Sequence, residues 1–408
     1  MKCRGCGSAL RLPLIDLGTA PPSNAYLRTE QLAQAELWVP LKVAVCEQCW
    51  LVQTEDYTRA EQLFDADYAY FSSYSRSWLA HAEAYVADMV ERFELTAGSR
   101  VVEIAANDGY LLQYIAHRGI PCLGVEPTRS TAEAARAKGL DIREVFFGRD
   151  VATGLQAEGW GADLMVANNV LAHVPDINDF LGGFAILLKP AGVVTFEFPH
   201  LLSLMAENQF DTLYHEHYSY LSLTAVDILC RRNGLEVFDV QALPTHGGSL
   251  RVFAQRADGE RRAVSAGVAR LLALETDVGV RTADFYSTLA PAAERIKLQL
   301  LRFLLQAKDE GKRVVGYGAA AKGNTLLNYA GVKADLLAWV ADANPHKQGK
   351  FLPGSRIPVV SAQRLAEERP DYVLILPWNL LKEVSEQQAG IREWGGRFVI
   401  AVPELTVL

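Results

Sequence analysis

Apolar residues recur at about every second position in LRLPLIDL and LWVPLKVAVC, which predicts two strands joined by the turn-rich loop TAPPSNAY. TRAEQLF and SWLAHAEAYVADMVERF change to helical spacing. From residue 100 short apolar runs alternate with helical stretches: strand RVVEIA, helix GYLLQYIAHRG, strand PCLGVEP, helix STAEAARAKG, strands DIREVFF and DLMVANN, helix INDFLGGFAILLKP and strand GVVTFEFP. Helix LTAVDILCRRNG and strands LEVFDVQAL and SLRVFAQ complete that sheet. An Ala/Leu-rich helical stretch over 263–310 leads to a second alternating unit, RVVGYGAAAKGNTLLNYAG, LLAWVAD, YVLILPWN and RFVIAVPE. Such alternation predicts parallel sheets covered on both faces, hence the α/β class. YAYFSSYS and NQFDTLYHEHYSYLS carry no period and read as irregular. The expected organisation is a small β-rich head (1–75), a central α/β domain (76–260), and a helical connector with a C-terminal α/β domain (261–408).

Bulk properties narrow the classes. A chain of 408 residues exceeds one ordinary core. Its formal charge of −8 lacks the basic footprint of a nucleic-acid binder. No apolar run reaches membrane-spanning length, and MKCRGCGSAL has no signal-peptide core, so no membrane partner and a cytoplasmic location are expected. Six cysteines are too few for a disulfide scaffold, and Cys122 and Cys230, alone in apolar stretches, read as buried small hydrophobes.

The other four form two CxxC pairs, Cys3/Cys6 and Cys46/Cys49. Two thiolates of one tight turn can face one ion, so the pairs supply a complete tetrahedral zinc site with no open position. Gly5 and Gly7 permit the turn, and residues 7–45 form an insertion longer than usual ribbon spacing. The zinc is expected to be structural.

In EIAANDG a strand ends at Glu103 and a turn of Ala105, Asn107, Asp108 and Gly109 enters a helix. The loop lacks the GxGxxG that lets backbone approach a pyrophosphate. Glu126 ends the next strand, where a carboxylate suits a ribose diol, and Asn168 and Asn169 end DLMVANN at the same sheet edge. Side chains this polar and acidic favour the sulfonium cofactor S-adenosylmethionine over NAD. His173 follows just beyond. Tyr214, His215, Glu216, His217 and Tyr218 concentrate acid–base groups in five positions without the helical HExxH metal spacing. Gly316-x-Gly318-x-x-Ala321, with Asp342 downstream, is a short dinucleotide fingerprint. Lys322 and Asn324 can instead meet the phosphates of a nucleotide-linked substrate, and a loop without ligand is the third reading.

In this order the cysteine head, the NDG loop, YHEH, HGGSLR and GYGAAAKG resemble, over essentially the whole chain, the sugar C-methyltransferases that methylate C-3′ of nucleotide-linked 4-keto-deoxyhexoses. The resemblance implies a zinc-binding head, a central class I methyltransferase Rossmann-like domain for S-adenosylmethionine, and a C-terminal Rossmann-like domain that holds the sugar nucleotide, dTDP-linked, in a monomer. It implies His217 as general base, with Glu216, Tyr214 and His173 beside it, and an active-site tyrosine from Tyr68 or Tyr70. Ser72, Ser73, Gly318, Lys322 and Asn324 are the substrate contacts expected. Two rivals stand against this. An NAD-dependent sugar-nucleotide oxidoreductase would use the GYGAAA loop but lacks a Tyr-x-x-x-Lys helix. A non-catalytic zinc-headed scaffold would not need the acid–base density at 214–218.

Overall fold

The computed structural model describes residues 1–57 and 71–408. The expected helix TRAEQLF, Tyr68 and Tyr70 lie outside them. Strands β1 (Leu12–Ala20), β2 (Val39–Val45) and β3 (Val52–Thr54) form an antiparallel meander. Alternation in β2 buries Val39, Leu41, Val43 and Val45. The strands that follow are β4 (Val101–Ile104), β5 (Cys122–Val125), β6 (Ile142–Arg143), β7 (Ala162–Asn168), β8 (Leu188–Pro199), β9 (Ser219–Tyr220), β10 (Leu235–Leu243) and β11 (Ser249–Arg256). All but β9 lie in one sheet of order β10-β11-β8-β7-β4-β5-β6. It is parallel except for β11, antiparallel to both its neighbours. This is the class I methyltransferase arrangement. The third sheet contains β12 (Val314–Tyr317), β13 (Val340–Asp342), β14 (Val359–Ser361), β15 (Tyr372–Ile375), β16 (Arg397–Ile400) and β17 (Thr406–Val407), in the order β14-β13-β12-β15-β16-β17. That is the doubly wound Rossmann order, with only the last strand antiparallel.

Three local features differ from the sequence reading. The helix from Ile177 stops at Leu187, and β8 begins at Leu188. Pro190 disfavours a helical conformation at the residue before it, which shifts the boundary back. DIREVFF contributes only the two residues of β6. The YHEH stretch, expected to be irregular, contains β9, which pairs antiparallel with β3 as the fourth strand of the head sheet (Val52↔Tyr220, Gln53↔Ser219).

The head is wedged between the two larger sheets. Leu41 and Val43 share one core with Leu300 and Leu304 of the helix Leu289–Asp309 and with Leu327 and Leu374 of the C-terminal unit. Cys3, Cys46, Cys49 and Leu51 share another with Phe184, Val226 and Leu229 around the central sheet.

The connector helix Ala266–Asp277 is pinned by Glu275. Its fully buried carboxylate accepts from the N–H groups of Leu223 and Thr224 (2.7 Å each), from Thr224 Oγ1 (2.6 Å) and from His200 Nε2 (2.8 Å). Leu223 and Thr224 open the helix Leu223–Arg232, whose first N–H groups have no partner within the helix, so Glu275 caps it from outside. Burial opposes the charge, but His200 and Thr224 overcome it and hold the carboxyl below its ordinary value. Glu275→Gln should cost about 3 kcal/mol, which at roughly 2.1 cal/mol/K per residue over the chain is a fall in Tm on the order of 3–4 °C by differential scanning fluorimetry. Because the folded pKa is depressed, this stabilisation is complete above the ordinary 4.5 and is lost as pH falls through the lower folded value. Wild type and variant should therefore converge in acid. Equal Tm at pH 7 would contradict the capping account.

Candidate active site

The four cysteines meet. Their Sγ atoms all lie within 4.8 Å of one another, with Cys3–Cys49 at 3.5 Å and Cys6–Cys46 at 3.4 Å. A disulfide needs about 2.05 Å, whereas four thiolates about 2.3 Å from one zinc stand about 3.8 Å apart. The donor set and spacing fit zinc. Gln53 Nε2 lies 3.2 Å from Cys3 Sγ as an outer donor.

At the C-terminal edge of the central sheet, Ala105, Asn107 and Gly109 all adopt left-handed backbone, with φ of 57°, 51° and 75°. A Cβ on Gly109 would sit 2.3 Å from Leu140 Cδ1, so this position needs glycine. Glu126 shapes the loop: Oε2 accepts from Asn107 N and Oε1 from Thr128 N, both at 2.9 Å. Each oxygen keeps a lone pair for a ligand hydroxyl. Neither carboxyl oxygen of Glu103 is hydrogen-bonded among the described residues. Burial, then the charges of Glu126 and Asp108, push its pKa well up. Asp108 Oδ1 and Asn168 Oδ1 are likewise buried without a partner among the described residues. Three carboxyl groups with spare acceptors would repel a pyrophosphate. They fit a sulfonium- and ammonium-bearing nucleoside such as S-adenosylmethionine. Ser72 N donates to Asn107 Oδ1 (2.9 Å) and Ser73 N to Asp108 Oδ2 (3.3 Å), so both serines border this loop.

Beyond β7 the reactive side chains gather. His173 Nδ1 donates to the Glu216 carbonyl (2.7 Å). His217 Nδ1 donates to the Thr212 carbonyl (3.0 Å), which leaves Nε2 as an acceptor, and the Tyr214 hydroxyl donates to it at 2.7 Å. The two imidazoles meet edge to face at 4.5 Å. Burial lowers His173 to about 4. Burial, then the charge His173 would carry, puts His217 well below 6.5. Glu216 runs elsewhere: Oε1 accepts from Asn24 N (3.0 Å) and Nδ2 (3.3 Å) in the head loop, and burial raises its pKa. His215 Nε2 donates to the Pro40 carbonyl (3.2 Å).

The GYGAAAKG loop is engaged by protein. Gly318, at φ 84°, approaches Pro377 so closely that a Cβ would meet Cδ at 2.4 Å. The Ala319 carbonyl accepts from Tyr26 Oη (2.6 Å) and Lys347 Nζ (2.7 Å), and Asp342 Oδ2 accepts from Ala319 N (2.7 Å). Asn324 Nδ2 donates to the Ser23 carbonyl (2.6 Å) and Thr325 Oγ1 to the Leu213 carbonyl (2.9 Å). Lys322 Nζ donates to Asn379 Oδ1 (2.8 Å) and lies 4.6 Å over the Trp378 ring, with its charge felt at His217.

Two groups escaped the sequence reading. His246 of HGGSLR is held 3.3 Å from Asn169 Nδ2 and edge-on to Trp78 at 5.1 Å, and burial takes it to about 4. A histidine between a turn and two glycines was the available signal. The cross-strand pair Glu197–Arg251 (2.8 Å), joined by His81 (3.0 Å) and Thr245 (3.1 Å), lies buried beside it. Its signal was the charged residue inside the apolar run of β8.

Comparison with known proteins agrees with this layout. Residues 3–64 match the family described as "Putative zinc binding domain", residues 78–240 "Methyltransferase domain", and residues 244–403 "C-methyltransferase C-terminal domain". C-methyltransferase NovU of Streptomyces niveus is 36% identical over 407 residues, covering 100% of this chain and 96% of that protein. A ubiquinone biosynthesis O-methyltransferase of Chromobacterium violaceum is 30% identical over 27% of this chain and 48% of its own. The crystal structure of magnesium protoporphyrin IX methyltransferase from Synechocystis covers 44% of this chain and 79% of its own, at 16% identity and a TM-score of 0.34, too slight a likeness to bear on function. Metal analysis of the purified chain should find one zinc per molecule. Cys49→Ser should lose it and melt at lower temperature. Stoichiometric zinc in that variant would contradict the four-thiolate site.

Proposed function

Because the chain belongs to the C-methyltransferase family, and is an S-adenosylmethionine-dependent enzyme with a zinc-binding head, we propose that it methylates C-3′ of a nucleotide-linked 4-keto-deoxyhexose, dTDP-linked, through an enolate. The observation that carries this reading is the His217 imidazole: buried, neutral, fixed at Nδ1 by the Thr212 carbonyl, and presenting a basic Nε2.

A C–H beside a ketone is weakly acidic, and its removal needs a placed base and a donor for the oxygen that gains charge. His217 Nε2 takes the C-3′ proton. The C–H electron pair becomes the C-3′=C-4′ bond, and the carbonyl π pair moves onto the C-4′ oxygen. Tyr214, now bonded to Nε2, turns its hydroxyl to that oxygen, which frees the base and supplies a donor in one rotation. His173 uses its one ring proton on the Glu216 carbonyl and, being neutral, acts by holding the 216–217 backbone. Glu216 ties that backbone to the head through Asn24. Glu103, Glu126 and Asn168 would hold S-adenosylmethionine, which supplies a methyl group as an electrophile. The oxidoreductase reading loses support because Asp342 and the Ala319 carbonyl are bonded within the protein.

His217→Asn should lose about 10²–10⁴ of the methylation rate, read as mass gain on a dTDP-4-keto-2,6-dideoxyhexose, while still melting cooperatively. Full activity would contradict the base assignment. With the His217 pKa far below 6.5, kcat/KM should show no loss from base protonation as pH falls from 8 to 6. An acid limb centred near 6.5, absent in a substrate-only control, would contradict a buried neutral base.

A further inference from the structure

Tyr214 alone is a thin provision for the enolate oxygen, and His173 has no second proton to give. The pocket has another polar wall. Lys322, on the helix Ala321–Ala330 of the C-terminal unit, carries three donors and gives one to Asn379 Oδ1 (2.8 Å). The Trp378 ring lies 4.6 Å from Nζ, and Asp211, the nearby carboxylate, accepts instead from Trp378 Nε1 (2.8 Å). A Cβ on Gly247, next to His246, would meet Trp378 Cη2 at 2.5 Å, so the His246 loop and Lys322 share one indole, and Trp378 in turn binds Asp211, next to the Thr212 whose carbonyl holds His217. His246 accepts at Nε2 from the Asn169 amide (3.3 Å), so its ring proton sits on Nδ1, which has no protein partner among the described residues. Both Asn169 and His246 are held at φ 54°, a left-handed backbone that non-glycine residues avoid and that concentrates at functional sites.

We propose that Lys322 Nζ and His246 Nδ1–H form the oxyanion pocket for the C-4′ oxygen, so that the C-terminal unit supplies an electrophile to the reaction as well as a seat for the nucleotide. This rests on the ketosugar reading. The sequence alone placed Lys322 at phosphates. In the fold it stands over Trp378, which binds Asp211, the neighbour of the Thr212 whose carbonyl holds the base. The C-4′ oxygen is on the neighbouring carbon, whereas the phosphates are removed from C-3′ by C-2′, C-1′ and the glycosidic oxygen. As His217 accepts the proton, the electron pair released from C-3′–H ends on the C-4′ oxygen, where the ammonium and the imidazole N–H receive it as hydrogen-bond donors. The C-3′=C-4′ π pair then makes the new bond to the methyl carbon and an oxygen pair reforms the carbonyl, while the methyl–sulfur bond would break with its pair left on the sulfonium sulfur of the donor.

The test is C-3′ deuteration in D₂O, followed by NMR, with the zinc-loaded full chain, S-adenosylhomocysteine and a dTDP-4-keto-2,6-dideoxyhexose. Binding of dTDP alone is measured in parallel. Lys322→Met should slow exchange about 10²–10³-fold while dTDP affinity stays within twofold. His246→Gln should slow exchange at equally unchanged dTDP affinity, and it carries the test if the lysine variant fails to fold. Folding is read from the thermal shift induced by S-adenosylhomocysteine. Wild-type exchange rates in the folded variants, or loss of dTDP affinity in step with exchange, would overturn the oxyanion pocket and return Lys322 to the phosphates. If the wild-type protein exchanges no C-3′ proton above the solvent background, the ketosugar reading itself fails.

Discussion

The pairing of Ser219–Tyr220 with Val52–Gln53 is the contact on which the arrangement depends. Two residues of strand draw the 212–220 segment out of the central unit and into the sheet of the zinc head. The rest of the segment is fixed from both sides. Thr54 Oγ1 donates to the His217 carbonyl (3.2 Å), Thr325 Oγ1 to the Leu213 carbonyl (2.9 Å), and the Tyr220 hydroxyl accepts from Tyr214 N (3.2 Å). The head sheet and a helix of the C-terminal unit therefore set the position of one imidazole. The four-cysteine site lies at the far end of this lever. By closing the turns that flank β1 and β2 it fixes β3, and through β3 the segment that carries His217.

The second constraint is electrostatic. His217 is buried and His173 and His246 are half-buried, and removal from water disfavours the charged form of each. Neutral imidazoles are tolerable there because the ring N–H groups of His173 and His217 meet backbone carbonyls, leaving no unsatisfied donor to penalise. The opposite bias prevails across the sheet edge. Glu103, Asp108 and Glu126 crowd carboxyl groups so closely that Glu103 is pushed towards its protonated form, a strain that a cationic cofactor would relieve. On the proposed reading the carboxyl cluster would face the cationic cofactor and Lys322 the substrate. A reaction that moves negative charge from carbon to oxygen, and then onto a positively charged methyl donor, runs along that gradient.

Much of this was legible from residue types and spacing. Apolar runs located the strands of both α/β units, two CxxC pairs located the metal cluster, and the density of acid–base groups at 214–218 pointed to the segment in which Tyr214 and His217 meet. What stayed hidden depends on contacts distant in sequence. Nothing local in Ser219–Tyr220 distinguishes a strand of the head sheet from loop. Glu216 stands next to His217 in sequence, yet consecutive side chains diverge, and the partner that fixes the imidazole is the Thr212 carbonyl, a backbone atom no residue pattern can announce. The spacing from Gly318 to Asp342 is that of a dinucleotide site. Only the fold reveals that Tyr26, 293 residues before Ala319, binds the loop carbonyl. Lys322 read as a phosphate contact and His246 had no reading of its own until the fold put Lys322 over Trp378, the ring that the His246 loop also packs against.

The central claim is that methylation falls on carbon, beside a ketone activated by His217. The most direct measurement supplies S-adenosylmethionine labelled with ¹³C at the methyl group, together with the dTDP-4-keto sugar, and locates the label by two-dimensional NMR. The account predicts a ¹³C–methyl signal coupled to a carbon framework at C-3′, with the nucleotide intact. A label on a sugar oxygen, or none on any 4-keto-deoxyhexose nucleotide in the presence of bound cofactor, would contradict it.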